Sequence, residues 1–128
     1  HKYVSAKGAK FAGLDLNSSK IITCHVGNGG SVTAVLNGKS YCTSMGFSPV
    51  DGLVMGTRCG AVDPTAITYI QAKENLSPSE TDTMMNKKSG FLGISGVSSI
   101  SSNTRPAQAS AFCNSVITLE ISLNGLVY

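Results

Sequence analysis

Apolar and β-branched residues are concentrated in three short runs separated by turn residues. The first two, Ile21–Val26 and Ser31–Leu36, flank the turn Gly27-Asn28-Gly29-Gly30. The dipeptide Asn37-Gly38 then precedes a third run, Lys39–Met45. Because glycine and asparagine tolerate the positive φ angles of tight hairpin turns, the pattern predicts a β-meander of three strands.

A helical period precedes the meander. Val4, Gly8 and Phe11 follow one another at i, i+4 and i+7 within His1–Phe11, with Ala6, Ala9 and Ala12 filling in, and this spacing predicts a helix. Gly13 fits the C-terminal stop of that helix.

Two further helices are predicted by their start signals. Asp63-Pro64 provides an N-cap and a proline at the first helical position, with Ile67 and Ile70 marking the buried face of a helix that runs to about Glu74. The second helix begins at the capping box Ser77-Pro78-Ser79-Glu80 and runs to about Lys88.

The segment after the second of these helices carries glycine and serine among apolar residues. Met84 and Met85 are expected to point inward, and Gly90 is expected to end the helix. Phe91–Ser99 then predicts a buried loop.

The stretch Gly46–Gly60 is the candidate functional loop, because it combines four glycines and a proline with no regular period. Arg58 lies between Gly56 and Gly60, where a guanidinium can reach a phosphate or carboxylate, although a solvated surface arginine fits equally well. The turn after His25 can likewise face an anion with its backbone N–H groups or belong to an ordinary hairpin.

Two common phosphate-binding motifs are excluded. The pattern G-x-G-x-x-G fails because Val32 stands at its third glycine, and Gly38-Lys39-Ser40 lacks the upstream glycine of a P-loop because Thr33 stands there. A phosphate site on this chain would therefore belong to another fold.

Composition narrows the class of protein. The chain has 128 residues and a net charge of +3, and its charged fraction of 13% is about half the usual ~25%, which is typical of a piece covered by other segments. The scattered lysines and arginines disfavour nucleic acid, and no apolar run approaches the ~20 residues that span a membrane. Four cysteines without C-x-x-C spacing predict mostly buried, reduced thiols in a cytosolic protein rather than a zinc site.

Several separated motifs resemble one family, the acetate kinases. They occur in family order and are ITCHVGNGGS at 22–31, NGK at 37–39, TSMGF at 43–47, PVDGLVMGTRCG at 49–60, DP at 63–64 and NKKSGFLGISGVSS at 86–99. His1–Ser5 is similar to the end of the family stretch HGTSHKYVS. Propionate and butyrate kinases are relatives of this family, and the sequence is compatible with either of them.

The resemblance implies an α/β fold, part of an actin/hexokinase-like (ribonuclease H-like) ATPase domain. Residues 1–99 would form the early part of the second, nucleotide-binding domain, and residues 100–128 a divergent tail of unknown fold. The family uses ATP and Mg2+ to phosphorylate acetate reversibly, giving acetyl phosphate and ADP. It pairs as homodimers, and a cytoplasmic enzyme without nucleic-acid or membrane partners is expected.

The same resemblance implies the site residues. His25, Val26, Gly27, Asn28 and Gly29 match the family's nucleotide phosphate loop HLGNG, and they are the expected cofactor-binding residues. Arg58 matches the arginine of the family's GTR motif and is the expected catalytic residue. No metal-binding residue is predicted.

The sequence also departs from the family pattern. The family's catalytic histidine would fall before residue 1, and His1 matches only a second histidine whose role looks structural. Cys42 and Ala61 replace two usual carboxylates. In the tail, where the family has a long helix, the alternation from Ile117 to Leu123 predicts a strand, followed by a turn at Asn124-Gly125.

Overall fold

A computed structural model describes residues 1–96 and the backbone of residues 117–119. The elements in chain order are α1 (Lys2–Phe11), a 3₁₀ turn (Leu16–Ser18), β1 (Lys20–Val26), β2 (Gly30–Leu36), β3 (Lys39–Thr43), α2 (Pro64–Lys73), α3 (Pro78–Lys87), α4 (Gly90–Ser95) and β4 (Ile117–Leu119). The predicted α/β architecture, a β-meander followed by helices, is confirmed.

The strands form one antiparallel sheet in the order β3-β2-β1-β4. β3 ends at Thr43, two residues before the predicted end, and the β2–β3 register shifts between Ala34 and Val35. The strand predicted in the tail is confirmed at Ile117–Leu119, which pairs with β1. The remainder of that predicted strand, the Asn124-Gly125 turn and Cys113 lie outside the described residues.

The two turns of the meander differ in backbone conformation. Asn37 and Gly38 have φ angles of 52° and 75°, as the hairpin signal predicts. Residues 27–30 show no left-handed φ angle, and Gly30 already belongs to β2. The prediction that this turn uses glycine for positive φ is therefore wrong.

One face of the sheet is covered by α1. Ala9, Ile21 and Val35 form a buried cluster, against which Leu14 and Leu16 pack. Of the residues in the predicted helical period, Ala9 is buried and Val4 and Gly8 are half-buried, whereas Phe11 is 96% exposed. Ser5, which the pattern did not include, is also buried. Small side chains one turn apart let the helix approach the strands closely, and the Ser5 hydroxyl is satisfied by the Lys2 carbonyl 3.0 Å away.

The imidazole of His1 connects the start of α1 to two strands. Its Nδ1 lies 2.6 Å from Thr23 Oγ1 on β1, and its Nε2 lies 2.8 Å from Ser31 Oγ on β2. Thr23 and Ser31 are both buried, at 1% and 7% exposure. This agrees with the structural role expected for His1.

The opposite face of the sheet carries apolar side chains that stay partly exposed. Ile22, Cys24, Val32 and Ala34 alternate with the covered residues and are half-buried. None of the three described cysteines is buried, since Cys24 and Cys59 are half-buried and Cys42 is exposed. The prediction of buried thiols is wrong for these three.

The later helices begin where their caps predict. Asp63 caps α2 through Thr65 N, and Ser77 and Glu80 form the complete capping box of α3. Ile67 and Ile70 on α2 and Met84 and Met85 on α3 are half-buried rather than fully buried. No helix within the described residues is long and apolar enough to cross a membrane.

Gly90 does not end a helix. It begins α4 with a φ of +65°, so Gly90–Ser95 is a short helix where a buried loop was predicted. Ile94 is 76% exposed and Phe91 is 40% exposed. The predicted loop is wrong over residues 91–95, and residues 97–99 lie outside the described part of the chain.

Candidate functional site

The hairpin turn between β1 and β2 is the first component of the candidate site. It is closed by a 2.8 Å hydrogen bond from Gly27 N to Gly29 O. Val26 stands opposite Gly30 at the last rung of the ladder. His25, Val26, Gly27 and Asn28 are exposed, and Gly29 is half-buried. The turn therefore projects from the sheet with most of its atoms accessible.

The second component is Arg58, which reaches the turn from the long loop between β3 and α2. A Cβ atom added to Gly29 would lie 3.1 Å from Arg58 Nη1. The structure thus brings together the predicted catalytic arginine and the predicted phosphate loop, which are 29 positions apart in sequence. A Cβ at position 29 would make a tight contact with the guanidinium, which would have to shift by a few tenths of an ångström to admit it.

The guanidinium keeps donors available for a ligand. Its two hydrogen bonds within the described residues both start from Nη1 and go to uncharged acceptors, Pro49 O at 3.3 Å and Met55 Sδ at 3.6 Å. A guanidinium carries five N–H donors in a fork that matches phosphate and carboxylate oxygens. Arg58 is half-buried, so an anion bound there would be partly shielded from water.

The thiol beside the arginine adds no negative charge. Burial, reinforced by the charge of Asp51, raises the pKa of Cys59 above the ordinary thiol value, and the backbone hydrogen bond at Cys59 offsets this only in part. The Cys59 thiol donates to Gly60 O at 3.2 Å. At neutral pH the protonated thiol therefore leaves the positive charge of Arg58 undiminished.

The loop that carries Arg58 is held by the end of α3 and the start of α4. Backbone N–H groups of Ser89, Phe91 and Leu92 donate to three successive loop carbonyls, Thr57 O, Met55 O and Gly56 O, at 3.0, 2.9 and 2.9 Å. Sequence reasoning missed this contact because it joins segments more than 30 positions apart. Gly90 is a local signal of this contact, but a glycine at this position also fits the end of a helix.

Cys42 and Ala61, the two positions that depart from the family pattern, take no part in the hydrogen bonds between α4 and the loop that carries Arg58. Cys42 is exposed on β3, opposite Ala34. Ala61 is exposed, and its N–H donates to Gly52 O at 2.9 Å.

A metal centre built only from side chains is not found in the described part of the chain. Residues 1–96 and 117–119 contain no group of three or more His, Cys, Asp or Glu residues placed to hold a metal ion. The site offers cationic and N–H donors rather than carboxylate ligands.

An arginine guanidinium beside an exposed glycine turn offers cationic and backbone N–H donors, the groups that suit a phosphorylated ligand. Comparison with known proteins makes this specific. The model of the acetokinase family matches residues 1–115, and the chain belongs to that family.

Individual relatives agree with this assignment. The chain is 50% identical over all 128 residues to an acetate kinase of Thermoanaerobacterium thermosaccharolyticum, of which it spans 31%. Solved structures of Porphyromonas gingivalis acetate kinase and a Francisella tularensis propionate kinase match with TM-scores of 0.75 and 0.69 at 49% and 50% identity. These matches cover 77% and 75% of this chain and 25% and 24% of those chains. The likeness of fold is consistent with an actin/hexokinase-like architecture.

Proposed function

We propose that this chain is a segment of an acetate kinase, which transfers the γ-phosphoryl group of ATP to acetate and gives acetyl phosphate and ADP reversibly. Residues 1–99 would be the early part of its second, nucleotide-binding domain. The divergent tail predicted over residues 100–128 stays a prediction, since the family match continues to residue 115. The observation that supports this most is the approach of Arg58 to Gly29, because it places a cation beside the turn that matches the family's phosphate loop.

In this proposal the β1–β2 turn binds the nucleotide phosphates and Arg58 stabilises the transferring phosphoryl group. His25, Val26, Gly27, Asn28 and Gly29 would line the nucleotide phosphates, because the exposed turn leaves its backbone accessible. Arg58 donates hydrogen bonds to the transferring phosphoryl group, whose charge spreads over three equatorial oxygens in the transition state. A fixed cation in a site partly shielded from water stabilises this transition-state charge more strongly than a cation in bulk water does.

Magnesium fits this site as a companion of the nucleotide. Mg2+ is commonly held by substrate phosphates, waters and one or two carboxylates rather than by an all-protein cage. A nucleotide bound at this site would bring the phosphate ligands of the ion with it. When bound, the ion neutralises phosphate charge and orients the transferring group. Arg58 and the turn would then hold the oxygens that the ion leaves free.

The remaining expectations concern partners and location. Acetate and a nucleotide are the proposed small-molecule partners, in a cytoplasmic homodimer that acts on neither nucleic acid nor membrane. The propionate kinase match favours a second candidate, a kinase for a slightly longer carboxylate, since it is as similar in sequence as the acetate kinase structure. A segment of a butyrate kinase is a third candidate, and a catalytically inactive nucleotide-binding remnant is a fourth.

The 128-residue chain alone is expected to be inactive. It spans about a quarter to a third of the relatives that it matches, and phosphoryl transfer depends on positioning two substrates together. We expect no acetate-dependent turnover from it above a control without enzyme.

A hybrid enzyme tests the proposal. Residues 1–96 replace the matching segment of the P. gingivalis acetate kinase, and acetyl phosphate formation is measured with acetate, propionate and butyrate. An active hybrid that prefers acetate and loses about 10³-fold or more of its turnover in Arg58→Ala supports the proposal. The matched control Lys10→Ala removes an equal charge from α1 and should leave turnover unchanged.

Three outcomes would contradict parts of the proposal. An inactive but folded hybrid would favour the remnant, and a preference for propionate or butyrate would favour a kinase for that longer carboxylate. Equal turnover of the parent hybrid and its Arg58→Ala variant would refute the role of the arginine.

A further inference from the structure

Gly90 sits against the inner side of the loop that carries Arg58. The backbone N–H groups on either side of it bind the carbonyls of Met55, Gly56 and Thr57. These N–H groups belong to the N-terminal turn of α4, where helices leave donors without internal partners. The loop carbonyls therefore cap α4, and α4 in turn fixes the loop.

Two properties of position 90 require glycine. Its φ of +65° lies in the left-handed region that residues with a Cβ rarely adopt. A Cβ there would also overlap Met55 O and would lie 2.8 Å from Arg58 O and 3.0 Å from Gly56 O. All three neighbours are backbone atoms, so they can yield only if the loop itself moves.

The same loop residues hold the arginine in place. Met55 N donates to Arg58 O at 3.1 Å, and the buried Met55 side chain accepts from Arg58 Nη1 at 3.6 Å. A second contact restrains the loop from α3, since Thr57 Oγ1 donates to Asn86 O at 2.8 Å. A shift of the Met55 and Arg58 carbonyls would therefore be transmitted to the guanidinium, which lies against Gly29.

We propose that Gly90 is a positioning residue, which sets the distance between the Arg58 guanidinium and the β1–β2 turn without touching a ligand. This inference rests on the proposed function of Arg58. It assigns to the start of α4 a part in the reaction, because phosphoryl transfer is sensitive to displacements of about 1 Å in the groups that stabilise it.

The first test is structural and uses the 128-residue chain. Arg58→Ala identifies the amide resonance change at Gly29 that follows loss of the guanidinium. We expect Gly90→Ala to shift the Gly29 resonance in the same direction. The matched control is Gly96→Ala, because Gly96 has a φ of +66° and its added Cβ meets no described atom within 4 Å; this variant should leave the Gly29 resonance unchanged.

The second test is a double-mutant cycle in the hybrid enzyme. We expect Gly90→Ala to lower kcat about 10- to 100-fold with an unchanged KM for acetate, and Gly96→Ala to lower it less than about twofold. In the Arg58→Ala background, Gly90→Ala should cost less than about twofold more, because its effect acts through the arginine. Equal losses in both backgrounds would refute the proposal.

A gentler variant covers the case in which Gly90→Ala fails to fold. Thr57→Val removes the hydroxyl that anchors the loop to Asn86 O and should lower kcat severalfold, whereas Thr57→Ser keeps that hydroxyl and should restore it. Equal activity of the valine and serine variants would contradict a positioning role for this clamp. An inactive parent hybrid would count against the proposed function, and the Gly29 resonance would then decide on the position of the guanidinium alone.

Discussion

Replacing Thr23 by valine tests the polar connection between α1 and the sheet. Thr23 is 1% exposed, and its hydroxyl contacts His1 Nδ1 at 2.6 Å and donates to Thr33 O at the long distance of 3.4 Å. Valine has nearly the same shape, so the substitution leaves no cavity and isolates the hydroxyl.

The expected loss follows from these two contacts. A neutral hydrogen bond contributes a net ~0.5–1.5 kcal/mol, and the long contact to Thr33 O belongs at or below the lower end of that range. We expect Thr23→Val to reduce the free energy of unfolding by about 1–2 kcal/mol. With a urea m-value of about 1–3 kcal/mol/M, the midpoint should fall by roughly 0.3–2 M.

Urea unfolding of the 128-residue chain measures this loss. Thr68→Val is the matched control, because Thr68 is exposed on α2 and, among the described residues, its hydroxyl bonds to Thr65 O in the same helix. Its effect should stay within about 0.5 kcal/mol. A midpoint shift for Thr23→Val no larger than that of Thr68→Val would refute the reasoning.

Two further predictions concern the capping box and a crowded glycine. Ser77 Oγ and Ser77 N donate to Glu80 and lower the pKa of its carboxyl, so this stabilisation is full above the ordinary glutamate pKa and is lost as the pH falls through the lowered pKa. Glu80→Gln should flatten the acid side of the stability profile measured by urea unfolding, and an unchanged acid side would contradict this assignment. Gly60→Ala should lower the free energy of unfolding by about 2–4 kcal/mol, because its Cβ would lie 2.7 Å from Leu53 O at a φ of +74°. Gly13→Ala, at a φ of +69°, meets no described atom within 4 Å and should lower it by about 1–2 kcal/mol. Equal losses for the two glycine variants in the same assay would exclude the crowding.

Features set by neighbouring residues could be predicted from the sequence. The caps at Asp63 and Ser77 and the Asn37-Gly38 turn depend on hydrogen bonds and φ angles within a few positions, and the structure contains all three. The strands could also be predicted from neighbouring residues, because successive side chains of a strand point to opposite faces of the sheet.

Features set by distant contacts could not be predicted in the same way. The buried face of α1 is chosen by how closely Ser5 and Ala9 let the helix approach the sheet, and that fit outweighs the larger apolar area of Phe11. The conformation of Gly90 depends on carbonyls more than 30 positions earlier in the chain. Its local sequence cannot distinguish a helix end from a helix start.

The resemblance predicts which residues form the candidate site, but it does not predict the contacts that bring them together. The resemblance placed Arg58 and Gly29 in one site, whereas their contact and the clamp behind it come from tertiary packing. The glycines of the turn were predicted to allow positive φ angles, whereas Gly29 has none and its nearest neighbour is the Arg58 guanidinium.

The most direct test of the central claim is a calorimetric titration of the folded 128-residue chain with Mg-ADP. Because the turn and Arg58 already meet within the described residues, we expect one binding site that is lost in Arg58→Ala and retained in Lys10→Ala. Equal binding by the parent chain and Arg58→Ala, or no binding by a parent chain shown to be folded, would contradict a phosphate site made of this turn and this arginine.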